Sequence, residues 1–114
     1  MAVLGIDIGG TKIAAGLVTA GGEVLARDQI PTAVEQGPAA AMERLGALVV
    51  ELERRAGVKA VACGVGAPGP LDTRTGVVLE PPNLRTWWGF ALREALATRL
   101  GVGVTVENDA NCAA

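Results

Sequence analysis

Apolar residues dominate the start of the chain and are broken by glycine at regular intervals. Residues 2–8 (Ala-Val-Leu-Gly-Ile-Asp-Ile) read as a central strand. A Gly-Gly-Thr turn follows at 9–11, and residues 12–18 resume as a second strand. Thr19, Ala20, Gly21 and Gly22 form a hairpin turn, since glycine takes positive φ without a steric cost. Residues 23–30 make a third strand, ended by Pro31. The three strands are expected to run antiparallel.

The period then changes. From residue 37 or 38 to 56, Met42, Leu45, Leu48, Val49, Leu52 and Ala56 recur at helical spacing, and Gly57 stands just past the end. Residues 58–65 read as a strand whose alanines and Cys63 suggest burial on both faces. A glycine–proline loop follows, continuing through Asp72 to Gly76, with a short strand at 76–79. Trp87 or Trp88 opens a second helix to about residue 100, with Trp88, Ala91, Leu92, Ala95, Leu96 and Leu100 on one face. Gly101 ends it, residues 102–107 form a strand, and another helix begins near residue 109. The order predicts an α/β domain with a mixed five-stranded sheet and flanking helices.

Composition narrows the function. Hydrophobic residues are 50% of the 114, enough for one folded domain and against disorder. Ten basic residues face twelve acidic ones, with no basic cluster, so no nucleic acid is expected as a partner. Histidine is absent, which removes His-based acid–base chemistry and His metal sites from this stretch. Cys63 and Cys112 lack a CxxC spacing and read as small core residues. The first strand starts at once, without a leader or a membrane span, so a cytoplasmic protein is expected. The sequence stops where a helix has just begun, which suggests a piece of a larger protein.

Four segments carry candidate chemistry. In Asp7-Ile8-Gly9-Gly10-Thr11-Lys12 the glycines let backbone approach a ligand. Their amides, the Thr11 hydroxyl and the Lys12 ammonium suit phosphate oxygens. Asp7 would reach phosphate only through Mg2+ or its water, or else it caps its own turn. The second segment, Gly64-Val65-Gly66-Ala67-Pro68-Gly69, satisfies GxGxxG formally. Pro68 and Pro70 oppose the helix that a dinucleotide fingerprint needs, so the loop lines a cleft or simply packs. In the third, Asn83 can pair with a sugar hydroxyl, or serve as a turn residue before two tryptophans of core and interdomain packing. The fourth, Glu107-Asn108-Asp109-Ala110-Asn111, ends a hydrophobic strand. A carboxylate there could take the proton of a hydroxyl attacking a phosphoryl group, while Asn108 or Asp109 could instead cap the next helix.

Together, in this order and spacing, the four segments resemble the N-terminal domain of an ROK-family sugar kinase of the bacterial glucokinase group. The resemblance covers essentially all of residues 1–114 and implies a ribonuclease H-like, actin-like ATPase fold, cut short before a larger C-terminal domain. It implies ATP and Mg2+ at Asp7, Gly9, Gly10, Thr11 and Lys12, with Asp7 on the metal side. It implies a hexose at Gly66, Pro68, Asn83, Asn108 and Asp109, with Asp109 as the base for the sugar 6-hydroxyl. A structural Zn2+ would belong to the absent domain, and the full-length protein would be a dimer or tetramer. This stretch alone would be inactive, lacking half the sugar site and most of the ATP site.

Glucose is the default substrate of this motif set; fructose, mannose, allose and N-acetylhexosamines are the alternatives, and polyphosphate is an alternative donor. Two other classes share the fold. A sugar-sensing regulator of the family would carry a DNA-binding domain ahead of the first strand. An actin-like assembly ATPase would need the phosphate loop but not Asn83, Asn108 and Asp109.

Overall fold

A computed structural model describes residues 1–108. The expected helix near residue 109, with Asp109, Asn111 and Cys112, lies outside the described residues. Seven strands and two α-helices are present among those described: β1 (Ala2–Ile8), β2 (Lys12–Thr19), β3 (Val24–Pro31), α1 (Gly37–Ala56), β4 (Ala60–Ala67), β5 (Leu71–Asp72), β6 (Val77–Val78), α2 (Leu92–Leu100) and β7 (Gly103–Asn108). The main sheet has the order β3-β2-β1-β4-β7, so β1 is indeed central. Neighbours β1–β2 and β2–β3 are antiparallel, while β1–β4 and β4–β7 are parallel.

Strand period two decides which face is covered. Ala2, Leu4, Ile6 and Ile8 are buried, whereas Val3, Gly5 and Asp7 point the other way and are exposed. Helix α1 buries Met42, Leu45, Leu48, Val49 and Leu52, and α2 buries Leu92 and Leu96, all in one cluster with those strand residues. The steps β1 to β4 and β4 to β7 cross the sheet in the same direction. Crossovers of one hand therefore put both helices on one face. This narrows the expectation that β4 is buried on both sides: Cys63, Val65 and Ala67 are buried on one face, while on the other Ala62 and Gly64 are only half-buried and Gly66 is buried.

The ends of α1 follow its sequence. Pro38 sits in the first turn, and Gly57 at φ 73° closes the last one by donating its N–H to the Glu53 carbonyl. The second helix starts later than predicted. Arg85–Trp87 form only a 3-10 turn, and α2 begins at Leu92. Between them the backbone is taken by β6: Gly89 donates to the Val78 carbonyl, Val78 donates to the Phe90 carbonyl, and Val77 bridges Ala91. Gly89, at φ 81°, makes the bend. Trp88 leaves the expected helix face and is 47% exposed, while Trp87 is fully buried. The loop expected through Asp72 contains β5, paired with β6. Asp72 Oδ1 accepts from the Arg74 and Thr75 N–H groups to hold the turn between them.

Candidate active site

Strands β1, β4 and β7 are parallel, so their carboxyl ends share one edge of the sheet, where ligands gather in open α/β sheets. Register places four residues in one row across the exposed face: Ala14, Asp7, Gly66 and Glu107. With two strand spacings between them, the Asp7 and Glu107 backbones stand roughly 10 Å apart. Gly66, between the two carboxylates, carries no side chain and is itself buried. The hollow above this row has a volume of about 1150 Å³ and is floored by Gly5, Gly16, Gly64 and Gly66. Glu107 opens the fourth candidate segment of the sequence, and the strand register adds that it shares a row with Asp7.

The Gly9–Lys12 turn joins β1 to β2 at this edge. The Gly9 N–H donates to the Lys12 carbonyl at 2.9 Å, and a Cβ on Gly9 would stand 3.0 Å from that oxygen. Thr32 holds the turn from behind. Its N–H donates to the Thr11 carbonyl at 2.9 Å and its hydroxyl to the Gly9 carbonyl at 2.7 Å. Thr32 is fully buried, and its own carbonyl accepts from Arg44 at 2.7 Å. Sequence reading passed over Thr32, because nothing local distinguishes it from any threonine after a proline.

Asn83 comes to the same turn from a distant part of the chain. It is exposed, and its Cβ lies 3.0 Å from where a Cβ on Gly10 would be. Its loop is fastened by Leu84 N–H to the Pro81 carbonyl, by Trp88 Nε1–H to the same carbonyl, and by the Thr86 hydroxyl to the Val34 carbonyl. Asn108 ends β7 opposite Ala67, next to half-buried Pro68. Its Oδ1 is shielded from solvent, has no hydrogen-bond donor among the described residues, and lies 2.8 Å from where a Cβ on Gly69 would be. A shielded amide oxygen without a donor is costly unless a ligand or water supplies one. Asp109 lies outside the described residues.

Charge at the edge is left open. Asp7, Lys12 and Glu107 are exposed, and none belongs to an ion pair among the described residues. The ionisations that are shifted lie elsewhere. The Gln29 N–H and then Arg55 hold Asp28 below the usual carboxylate range, the Arg54 guanidinium lowers Glu51, and the Arg74 N–H lowers Asp72. Burial pushes the Cys63 thiol up to about 12. No group of three or more metal-ligating side chains occurs among the described residues.

A strand order of 3-2-1-4 with a parallel fifth, and helices on one face, define an actin-like ATPase domain, of the ribonuclease H-like class. The comparisons give the family. Residues 3–114 match the model of the ROK family, and the chain belongs to that family. Over 109 residues it is 36% identical to the glucokinase of Thermotoga maritima, covering 96% of this chain and 34% of that protein. It is 38% identical over 108 residues to an N-acetyl-D-glucosamine kinase of Escherichia coli, covering 95% of this chain and 35% of that protein. Among solved structures, the ROK hexokinase of Thermus thermophilus superposes with a TM-score of 0.89 at 44% identity, over 100% of this chain and 37% of that one. The chain therefore spans about a third of the length of the curated relatives it matches. No helix among the described residues is long and apolar enough to cross a membrane.

Proposed function

We propose that this chain is the N-terminal domain of a sugar kinase that transfers the γ-phosphoryl group of ATP to the 6-hydroxyl of a hexose, with glucose the first candidate. One observation carries the reading. The carboxyl edge of β1, β4 and β7 brings the Gly9–Lys12 turn, Asn83 and Asn108 to one side of the sheet, and Asp109 follows directly in the chain.

In this reading Asn83, Asn108, Gly66 and Pro68 receive the sugar. Asn108 Oδ1, without a donor among the described residues, is the acceptor for one of its hydroxyls. The amides of Gly10 and Thr11, the Thr11 hydroxyl and Lys12 receive phosphate oxygens, while Gly9, whose N–H is given to the Lys12 carbonyl, shapes the turn. Asp109 accepts the proton of the 6-hydroxyl as that oxygen bonds to the γ-phosphorus. The bond from the γ-phosphorus to the bridging oxygen breaks, and ADP leaves with the electron pair. Positioning is what the base requires, because proton transfer and attack can be concerted.

Asp7 fits a Mg2+ ion: its carboxylate is exposed, hard and without an ion-pair partner among the described residues, and Mg2+ is held by one or two carboxylates plus phosphates and water. When bound, the ion neutralises charge on the phosphates.

The E. coli relative supports a second substrate reading, an N-acetylhexosamine, through its 38% identity. The test is hexose-dependent ADP release by the full-length protein across glucose, mannose, fructose and N-acetylated hexosamines, with the product's phosphate position read by NMR. Release with one of these sugars and a 6-phosphate product is expected. Sugar binding without ADP release would favour a sugar-sensing regulator.

A further inference from the structure

The geometry points to Thr32 as the positioning residue of the phosphate turn, an inference that rests on the sugar-kinase reading above. Among the described residues Thr32 is the one polar side chain that is fully buried with the core. Both of its hydrogen-bond donors are spent on a single short turn: the N–H on the Thr11 carbonyl and the hydroxyl on the Gly9 carbonyl. Those two carbonyls are the ones flanking Gly10. The Gly9 carbonyl shares its rigid peptide plane with the Gly10 N–H, and the Thr11 carbonyl shares its plane with the Lys12 N–H, so the first contact sets the Gly10 amide directly and the peptide carrying the Thr11 N–H is held between two anchored planes. Among the described residues neither the Gly10 nor the Thr11 N–H finds a backbone or side-chain acceptor. The turn is thus tied down through its acceptors while these two donors stay uncommitted, which is what an anion-receiving turn needs.

Thr32 is itself held. Arg44 on α1 donates to the carbonyls of Thr32 at 2.7 Å and Pro31 at 3.3 Å, and to Gln36 Oε1 at 2.8 Å. A chain of contacts therefore runs from α1 through Thr32 to the turn. Neither Thr32 nor Arg44 touches the nucleotide in this account; they act by holding amides that do. A preorganised donor pair lowers the cost of binding phosphate, because the ordering is complete before the ligand arrives.

The experiment uses the full-length protein, comparing wild type with Thr32→Val, which keeps the shape and removes the hydroxyl, and Thr32→Ser, which restores it. Calorimetry measures affinity for the ATP analogue AMPPNP and, separately, for the hexose that the panel identifies; thermal melts report folding. Thr32→Val is expected to weaken AMPPNP and raise the KM for ATP about tenfold, the size of one lost charge-assisted hydrogen bond. Hexose affinity should stay within about twofold and Thr32→Ser should recover most of the loss. If Thr32→Val does not fold, Arg44→Met tests the same chain from the helix side, with a nucleotide-specific loss of about threefold expected. A folded variant with wild-type AMPPNP affinity overturns the inference. So does a parallel loss of sugar and nucleotide affinity that serine does not rescue, which would mark Thr32 as structural only. Wild-type protein that neither binds AMPPNP nor releases ADP overturns the sugar-kinase reading itself, and this inference with it.

Discussion

Gly10 and Asn83 are in contact across the edge of the sheet: a Cβ on Gly10 would stand 3.0 Å from the Asn83 Cβ and 3.5 Å from its carbonyl oxygen. The turn that would receive phosphate and the loop that would receive sugar therefore pack on one another, and bulk added at Gly10 must be felt by Asn83. Gly10→Ala requires the exposed Asn83 loop to yield by a few tenths of an ångström. The expected result is a several-fold rise in hexose KM with about 1 kcal/mol or less of lost stability, since the loop is outside the core. Steady-state kinetics and a melt of the same variant check both halves.

Gly69 and Asn108 repeat that relationship at the next strand end. A Cβ on Gly69 would come within 2.8 Å of Asn108 Oδ1, so Gly69→Ala must swing the amide aside. The oxygen that moves is the shielded one that has no donor among the described residues, the proposed acceptor for a sugar hydroxyl. Hexose affinity should fall by about 1–3 kcal/mol, the scale of one buried hydrogen bond, while nucleotide affinity holds. Titration calorimetry with each ligand separates the two.

The adjacent tryptophans should behave oppositely on unfolding. Trp87 is fully buried and meets Phe90 edge-on with ring centres 6.1 Å apart, so Trp87→Ala is expected to cost about 3–5 kcal/mol. Trp88 is 47% exposed and anchored by one hydrogen bond, so Trp88→Ala should cost about 1 kcal/mol. Denaturant melts of the two variants decide it; equal losses would mean that both rings share the core.

Cys63 offers a pH signature. With its thiol pushed up to about 12 by burial, the thiolate at pH 8 is on the order of 10⁻⁴ of the total. Iodoacetamide should leave Cys63 unmodified in native protein and label it in urea, as read by peptide mass mapping. The sign for stability follows from the raised value. The neutral thiol contributes fully below the unfolded value near 9.0, and that contribution is lost as pH rises toward 12. Cys63→Ala should remove this alkaline component.

Much of the fold is legible in the sequence because its periods are clean. The alternation in β1, the glycines of the first hairpin and the apolar stripe of α1 each have a single structural answer. The start of α2 is not legible, because Trp87 to Leu92 is apolar at helical spacing while β6 claims that backbone for hydrogen bonds. Burial of β4 on both faces holds only at its carboxyl end, where Gly66 is buried, since crossover handedness puts both helices on the other face. At the site, the glycine turn, Asn83 and Asn108 show themselves through residue type. Glu107 shows itself as part of the last candidate segment, but its alignment with Asp7 needs strand register, and Thr32 needs tertiary hydrogen bonds, neither of which local sequence encodes.

The most direct measurement is Asp109→Asn in the full-length protein, with turnover and hexose affinity measured side by side. If Asp109 takes the proton of the attacking hydroxyl, kcat should fall by about 10²–10⁴-fold or more, while hexose affinity changes little, because asparagine keeps the shape and can still hydrogen-bond. Turnover within a few-fold of wild type would contradict the assignment of the base. A wild-type protein that binds hexose tightly and transfers no phosphate would contradict the kinase account altogether.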